Sequence, residues 1–137
     1  MIKGYTSGAM DLLHAGHILF LKACKEQCDV LVIGLHVDPS LEVPDKNKPI
    51  ETLEERMIRL EGCKYVDEVY VYDTELAQAE LLKRVKPDIR FKGGDHRNEP
   101  CVGHDYRLVF IPRDHLYASG NLRQRIAEAE MKRKSVR

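Results

Sequence analysis

The sequence has no surplus of charge: 22 Lys and Arg stand against 22 Asp and Glu over 137 residues, a formal net charge of zero. Nucleic-acid and membrane surfaces are ordinarily met by a strong basic excess. Neither partner is therefore expected, and an anionic ligand has to be held by a local cluster. No apolar run approaches the ~18 residues of a membrane span. The opening Met1-Ile2-Lys3-Gly4-Tyr5 lacks the basic-then-apolar order of a signal peptide, so a cytoplasmic location is expected by default. Cysteine is scarce: Cys24, Cys28, Cys63 and Cys101 form no C-x-x-C pair. That spacing argues against a zinc ribbon and for reduced, mostly buried thiols. Cys24 and Cys28, four apart, suit a helix face as small core hydrophobes better than as a soft-metal pair. There is neither a G-x-G-x-x-G after the first strand pattern nor a G-x-x-x-x-G-K-[ST], which sets aside dinucleotide-binding and P-loop readings. Repeats and low-complexity segments are absent, and the length fits one domain.

What is present is an alternation of short β-type runs with helical patterns, the order expected of βαβ units on a parallel sheet. The runs predict strands over Ile2–Thr6, Val30–His36, Val66–Tyr72, Asp88–Lys92 and Arg107–Ile111. Between them lie helices over about His17–Gln27, with Leu21, Cys24 and Cys28 on one face, and from Thr52 to the stop at Gly62. Thr52-Leu53-Glu54-Glu55 has the form of a capping box, with Leu53, Met57 and Leu60 inward. Glu75–Val85 repeats the pattern with Leu76, Leu82 and Val85 inward, and Pro87 prevents its continuation. Leu122, Ile126 and Ala129 mark a last helix before a solvated tail. The fold class is α/β, a Rossmann-like, doubly wound, five-stranded parallel sheet, with a domain over 1–130 and a tail over 131–137. Ligands of such sheets bind outside the carboxyl ends of the strands, where strand order reverses. Three loops there are chemically unusual: residues 8–17, 93–97 and 113–121.

In Asp11-Leu12-Leu13-His14-Ala15-Gly16-His17 the two histidines stand three apart at the start of a helix. Backbone N–H groups and the positive end of the helix dipole attract phosphate there, and imidazole N–H groups add donors. A metal pair is the rival reading. It needs a third ligand, and His36, His96, His104 and His115 have no H-E-x-x-H context or acidic neighbour at a ligand spacing.

These residues also carry a resemblance. Gly8-Ala9-Met10-Asp11-Leu12-Leu13-His14-Ala15-Gly16-His17 is similar to the G-x-F-D-L-x-H-x-G-H signature of the nucleotidyltransferase superfamily that includes the cytidylyltransferases. Glu55-Arg56 with Lys64-Tyr65-Val66-Asp67-Glu68-Val69 resembles a block of the glycerol-3-phosphate and choline-phosphate cytidylyltransferases. Pro87-Asp88 through Lys92-Gly93-Gly94-Asp95 resembles the P-D-x-x-x-K-G-G-D segment of the heptose-phosphate adenylyltransferases. Together they span residues 1 to about 130 in the family's order.

The resemblance implies attack of a phosphorylated small molecule on the α-phosphorus of a nucleoside triphosphate, with pyrophosphate released. A phosphate monoester, with a second pKa of about 6, is already a dianion at neutral pH. The site must position two anions rather than supply a base. By the resemblance His14, His17 and Lys46 are catalytic, and Gly8, Ala9, Asp11, Gly94, Asp95, Arg113, Tyr117 and Ser119 bind the nucleotide. Lys48 and Arg56 bind the acceptor. Asp11 is expected to pin the histidine loop through backbone N–H groups or help hold magnesium, which comes with the triphosphate and without direct protein ligands. Ser119 is expected to N-cap the last helix, while Ala9, Met10, Ala118 and Gly120 depart from the family's pattern. The expectation is a CTP-dependent enzyme for a small phosphorylated acceptor of the glycerol-3-phosphate kind, acting as a homodimer. An adenylyltransferase for a sugar phosphate and a nucleotide-binding module without turnover are the alternatives.

Overall fold

The computed structural model describes residues 1–94 and 106–135, so the expectation for Asp95 lies outside the described residues. In chain order the elements are β1 (Lys3–Gly8), α1 (Ala15–Lys25), β2 (Val30–His36), α2 (Leu53–Glu61), β3 (Glu68–Tyr72), α3 (Glu75–Val85), β4 (Ile89–Gly93), β5 (Arg107–Ile111) and α4 (Ser119–Ser135). The five strands form one sheet in the order β3-β2-β1-β4-β5, all pairs parallel. This is the Rossmann-like α/β fold that the alternation implies. Strand order reverses between β1 and β4, which opens a crevice above their carboxyl ends.

Local chemistry explains most boundaries. The Thr52 hydroxyl accepts from the Glu55 N–H (3.1 Å), and the Glu55 carboxylate accepts from the Thr52 N–H (2.9 Å), the full capping box. Helix α3 ends at Lys86, whose φ of 50° is left-handed, and Pro87 follows.

The two faces of the sheet differ. On one, α1 and α2 bury Leu21, Cys24 and Leu60 against Leu31, Ile33, Leu35, Ile89 and Phe91. On the other, α3 packs Leu81, Leu82 and Val85 against Tyr5, Val32 and Tyr72. One inward assignment is corrected. Leu76 is 82 % exposed, because the inner stripe of α3 is Gln78, Leu81, Leu82 and Val85. Leu122, Ile126 and Ala129 lie on a helix as their spacing implies, α4, which buries none of its residues. The helix also continues through residues 131–135, where a tail was expected. Cys24, Cys28 and Cys63 are free thiols. Among the described residues no helix is long and apolar enough to cross a membrane.

Candidate functional site

Above the crevice lies a cavity of about 1080 Å³. Its walls are the loop after β1, the carboxyl end of β4, the loop after β5 and the first residue of α4. Of the residues singled out from sequence, His14, His17, Lys46, Gly8, Ala9, Asp11, Gly94, Arg113, Tyr117 and Ser119 line it, whereas Lys48 and Arg56 do not.

The histidine loop is built by the histidines themselves. His14 is the N-cap of α1, and its Nδ1 accepts from the Gly16 N–H at 3.0 Å. In return, Nδ1 of His17 accepts from the His14 N–H at 3.1 Å, so two imidazoles form a reciprocal capping box. A ring nitrogen that accepts an amide hydrogen bond carries no proton, which leaves the neutral rings with their hydrogens on Nε2. The rings lie 4.0 Å apart, and Nε2 of His14 is 3.1 Å from the Ser119 hydroxyl. Burial pushes the His17 pKa down to about 4, with the neighbouring His14 adding to the effect and Asp11 opposing it. His14 is also lowered, by burial first and then by the charges of His115 and Arg113. At neutral pH the loop therefore presents uncharged N–H donors. Gly16 makes this possible: a Cβ there would lie 2.8 Å from Cε1 of His14 and 3.0 Å from Cε1 of His115.

The same loop is strained and clamped. Met10 and Leu12 flank Asp11 with φ of 51° and 49°, a conformation that costs a non-glycine residue roughly 1–2 kcal/mol. Asp11 offsets this by accepting from the Ile50 and Glu51 N–H groups, both at 2.9 Å, while Glu51 accepts from the Leu12 N–H at 2.7 Å. Arg123 of α4 adds an ion pair to Asp11 at 3.3 Å and donates to the Lys48 carbonyl at 3.0 Å. Burial alone would raise the Asp11 pKa, but these donors outweigh it and hold the carboxyl below its usual range. Both Asp11 oxygens thus hold the loop, and among the described residues no three His, Cys, Asp or Glu side chains converge on one point.

Two expectations are corrected. Arg56 is 2 % exposed beneath the cavity floor. Its guanidinium donates to the carbonyls of Ala9 (3.0 Å), His36 (2.7 Å), Val37 (2.7 Å) and Glu51 (3.2 Å). It joins the loops after β1 and β2 to α2 and does not line the cavity. Ser119 is the first residue of α4 and not its cap: the Ala118 carbonyl starts the helical ladder by accepting from the Leu122 N–H at 3.1 Å. Its hydroxyl instead meets His14.

Sequence reading missed a second group. Ser7, His36, Tyr72, Glu75, Gln78 and Arg90 also line the cavity, as does Lys92, to which no role was given. Their signal was a glycine: Gly34 stands inside a buried strand, where glycine marks close approach. A Cβ there would overlap the Tyr5 hydroxyl, which donates to Oε1 of Gln78 at 2.9 Å.

Residues 5–117 match the model of the family described as cytidylyltransferase-like. The chain is 34 % identical over 132 residues to the bifunctional protein HldE of Helicobacter hepaticus, covering 93 % of this chain and 27 % of that one. It is 38 % identical over 102 residues to the bifunctional protein HldE of Wolinella succinogenes, covering 74 % of this chain and 21 % of that one. It therefore spans about a quarter of the length of these curated relatives. The crystal structure of the lipopolysaccharide core biosynthesis protein from Thermoplasma volcanium superposes with a TM-score of 0.71 at 26 % identity, covering 84 % of this chain and 99 % of that one.

Proposed function

The chain belongs to the cytidylyltransferase-like family of nucleotidyltransferases, and from that premise we propose that it joins a nucleoside monophosphate to a sugar phosphate, with ATP as donor and pyrophosphate as leaving group. The observation that carries the reading is the pair of uncharged imidazoles at the N-terminus of α1, opposite the start of α4, in a cavity with room for two small ligands.

The chemistry follows from charge. The acceptor's phosphate attacks the α-phosphorus; a P–O bond to the acceptor forms while the bond to the β-phosphate breaks. Neither proton transfer nor a protein nucleophile is needed, because a phosphate monoester is already dianionic. Developing charge on the α-phosphoryl oxygens is met by Nε2–H of His14 and His17 and the first N–H groups of α1. Gly8 suits close approach of the nucleotide, since a Cβ there would make only an ordinary 3.7 Å contact with Met10 and no described residue demands a glycine. Lys46 and Arg113 border the same space and carry the charge of the departing pyrophosphate. Magnesium enters this reading as a counter-ion on the triphosphate, while Asp11 holds the histidine loop. The proposal takes the protein as a homodimer, as the resemblance implies.

The choice of ATP rests on where two resemblances fall. The block that favours CTP consists of Arg56, which bolts carbonyls together, and of residues such as Asp67. The Asp67 carboxylate accepts from the Leu31 N–H at 2.7 Å and pairs with Lys25 at 2.5 Å. None of these lines the cavity, so the block concerns the fold and not the base. Lys92-Gly93-Gly94, the part shared with heptose-phosphate adenylyltransferases, does line it, and the HldE relatives lean the same way. Cytidylyl transfer is the second reading, kept by the family to which the chain belongs. Calorimetric titration is expected to show ATP binding at least about tenfold tighter than CTP, a difference of about 1.4 kcal/mol. Pyrophosphate release should then follow with ATP and a sugar phosphate. CTP binding tighter than ATP would restore the cytidylyltransferase reading.

A further inference from the structure

The histidine loop is held from outside itself. Its turn, residues 10–12, places Met10 and Leu12 at φ of 51° and 49°, in the left-handed region that a side chain disfavours. Such a turn persists only where the surrounding structure over-determines it. Here the support is the short segment 50–51, just before α2. Hydrogen bonds run between the two segments in both directions: Asp11 accepts from the Ile50 and Glu51 N–H groups, and Glu51 accepts from the Leu12 N–H.

Glu51 is the node of this junction. Its N–H binds Asp11, its carbonyl accepts from Nε of Arg56 at 3.2 Å, Oε1 takes the Leu12 N–H at 2.7 Å, and Oε2 pairs with Arg59 at 2.7 Å. Thr52, the N-cap of α2, follows directly, so the node is fixed to a helix end. Its two carboxylate bonds are unequal. The Glu51 side chain is 8 % exposed and that of Arg59 50 %, so the guanidinium can exchange the carboxylate for water at little cost. The Leu12 N–H is part-buried in a fixed turn, and a buried donor without an acceptor bears the full desolvation of the group. Two residues beyond Leu12 stands His14, whose N–H and Nδ1 carry the reciprocal caps.

We propose that Glu51 is a positioning residue: by accepting the Leu12 N–H it fixes the turn that aims Nε2–H of His14 and His17, and it acts on the reaction through them. Glu51 itself does not line the cavity. The role rests on the nucleotidyl-transfer reading, since it is the aim of the two imidazoles that it serves. Misplacing a catalytic group by about 1 Å costs up to about a hundredfold in rate. A group that matters only in the transition state changes kcat and leaves KM alone. What the turn requires of Glu51 is an oxygen at the right reach, and its charge is secondary.

Two substitutions separate reach from charge. Glu51→Asp keeps the charge but falls one methylene short of Leu12, while the long, half-exposed Arg59 follows the shortened carboxylate and the fold is retained. Glu51→Gln loses the charge but keeps an oxygen at the same reach, which turns to the fixed Leu12 N–H as Arg59 turns to water. Pyrophosphate release is measured with ATP and whichever of glycerol 3-phosphate, ribose 5-phosphate, hexose 1-phosphate and heptose 1-phosphate the wild type turns over. Glu51→Asp should lower kcat at least about thirtyfold with KM for ATP within about twofold, and Glu51→Gln should stay within about threefold in both. Amide hydrogen exchange, which needs no turnover, should be at least about tenfold faster at Leu12 and Gly16 in Glu51→Asp and within about threefold of wild type in Glu51→Gln. Equal losses of kcat in the two variants would assign the effect to charge and overturn the proposal. So would wild-type kcat in Glu51→Asp, or a raised KM with kcat intact. If the wild type releases no pyrophosphate with any of the four phosphates, the nucleotidyl-transfer reading fails by itself. Exchange then decides separately, since unchanged protection of Leu12 and Gly16 in Glu51→Asp overturns the hold of Glu51 on the loop.

Discussion

Replacing either His14 or His17 by alanine is expected to lower turnover by at least about a hundredfold, the scale for losing one pre-aimed donor to a transition state. The two losses should not multiply. Each ring positions the other through the reciprocal caps at 3.0 and 3.1 Å, so removing one displaces its partner, and groups that act as a unit are non-additive. A cap is also worth about 1 kcal/mol, so both alanine variants should melt slightly early. His14→Asn separates the effects: asparagine caps a helix well but does not project a donor as far as Nε2. It should restore stability and leave turnover low. If stability and turnover fall and recover together, the histidines are structural.

The second large effect concerns stability. Arg56→Met is expected to cost about 3 kcal/mol or more, because four carbonyl acceptors in three segments lose their donor at once and each buried orphan costs roughly 1–3 kcal/mol. The charge itself is held in place by neighbours. Burial lowers the Arg56 pKa, and the carboxylates of Asp11, Asp38 and Glu51 oppose that shift. Arg56→Lys should recover little, since one ammonium cannot reach the four carbonyls that the planar fork spans. Chemical denaturation measures this directly. A ligand-binding arginine would behave oppositely, with unchanged stability and a raised KM for the acceptor.

The contrast between these two sites shows what the sequence makes legible. His14 and His17 are readable because a pair of titratable residues at a helix start, just past a strand, has few structural explanations. The capping box at Thr52 and Glu55 is readable because its chemistry is local. Arg56 misleads because a motif marks a residue's importance and not its direction. Here the guanidinium turns inward to satisfy backbone groups of loops that are distant in sequence. Gln78 is invisible for the reverse reason. It reads as solvent-facing, yet it occupies a core position of α3 because Tyr5 and Arg90, on other elements, bring partners to it. Leu76 shows the complementary failure: apolar spacing does not say which side of a helix is covered, and the inner stripe of α3 is Gln78, Leu81, Leu82 and Val85, leaving Leu76 82 % exposed. The second group of polar residues lining the cavity is thus a tertiary property, assembled from strand ends and α3 segments that are distant in sequence.

The central claim, that the loop offers uncharged imidazole donors to a phosphate, is tested most directly by nitrogen-15 NMR of the histidine rings across pH. The His17 ring, with its pKa pushed down to about 4, should remain neutral from pH 8 down to about pH 5, hydrogen on Nε2 and Nδ1 unprotonated. Its unfolded counterpart, with a pKa near 6.5, takes up a proton first. Folding stability contributed by this group is accordingly full above about pH 6.5 and declines as pH falls toward about 4. Addition of the ATP analogue at pH 7 should shift the Nε2 resonances of His14 and His17 together while leaving both rings neutral. Rings that are doubly protonated at pH 7, or Nε2 resonances that do not respond to nucleotide, would contradict the account.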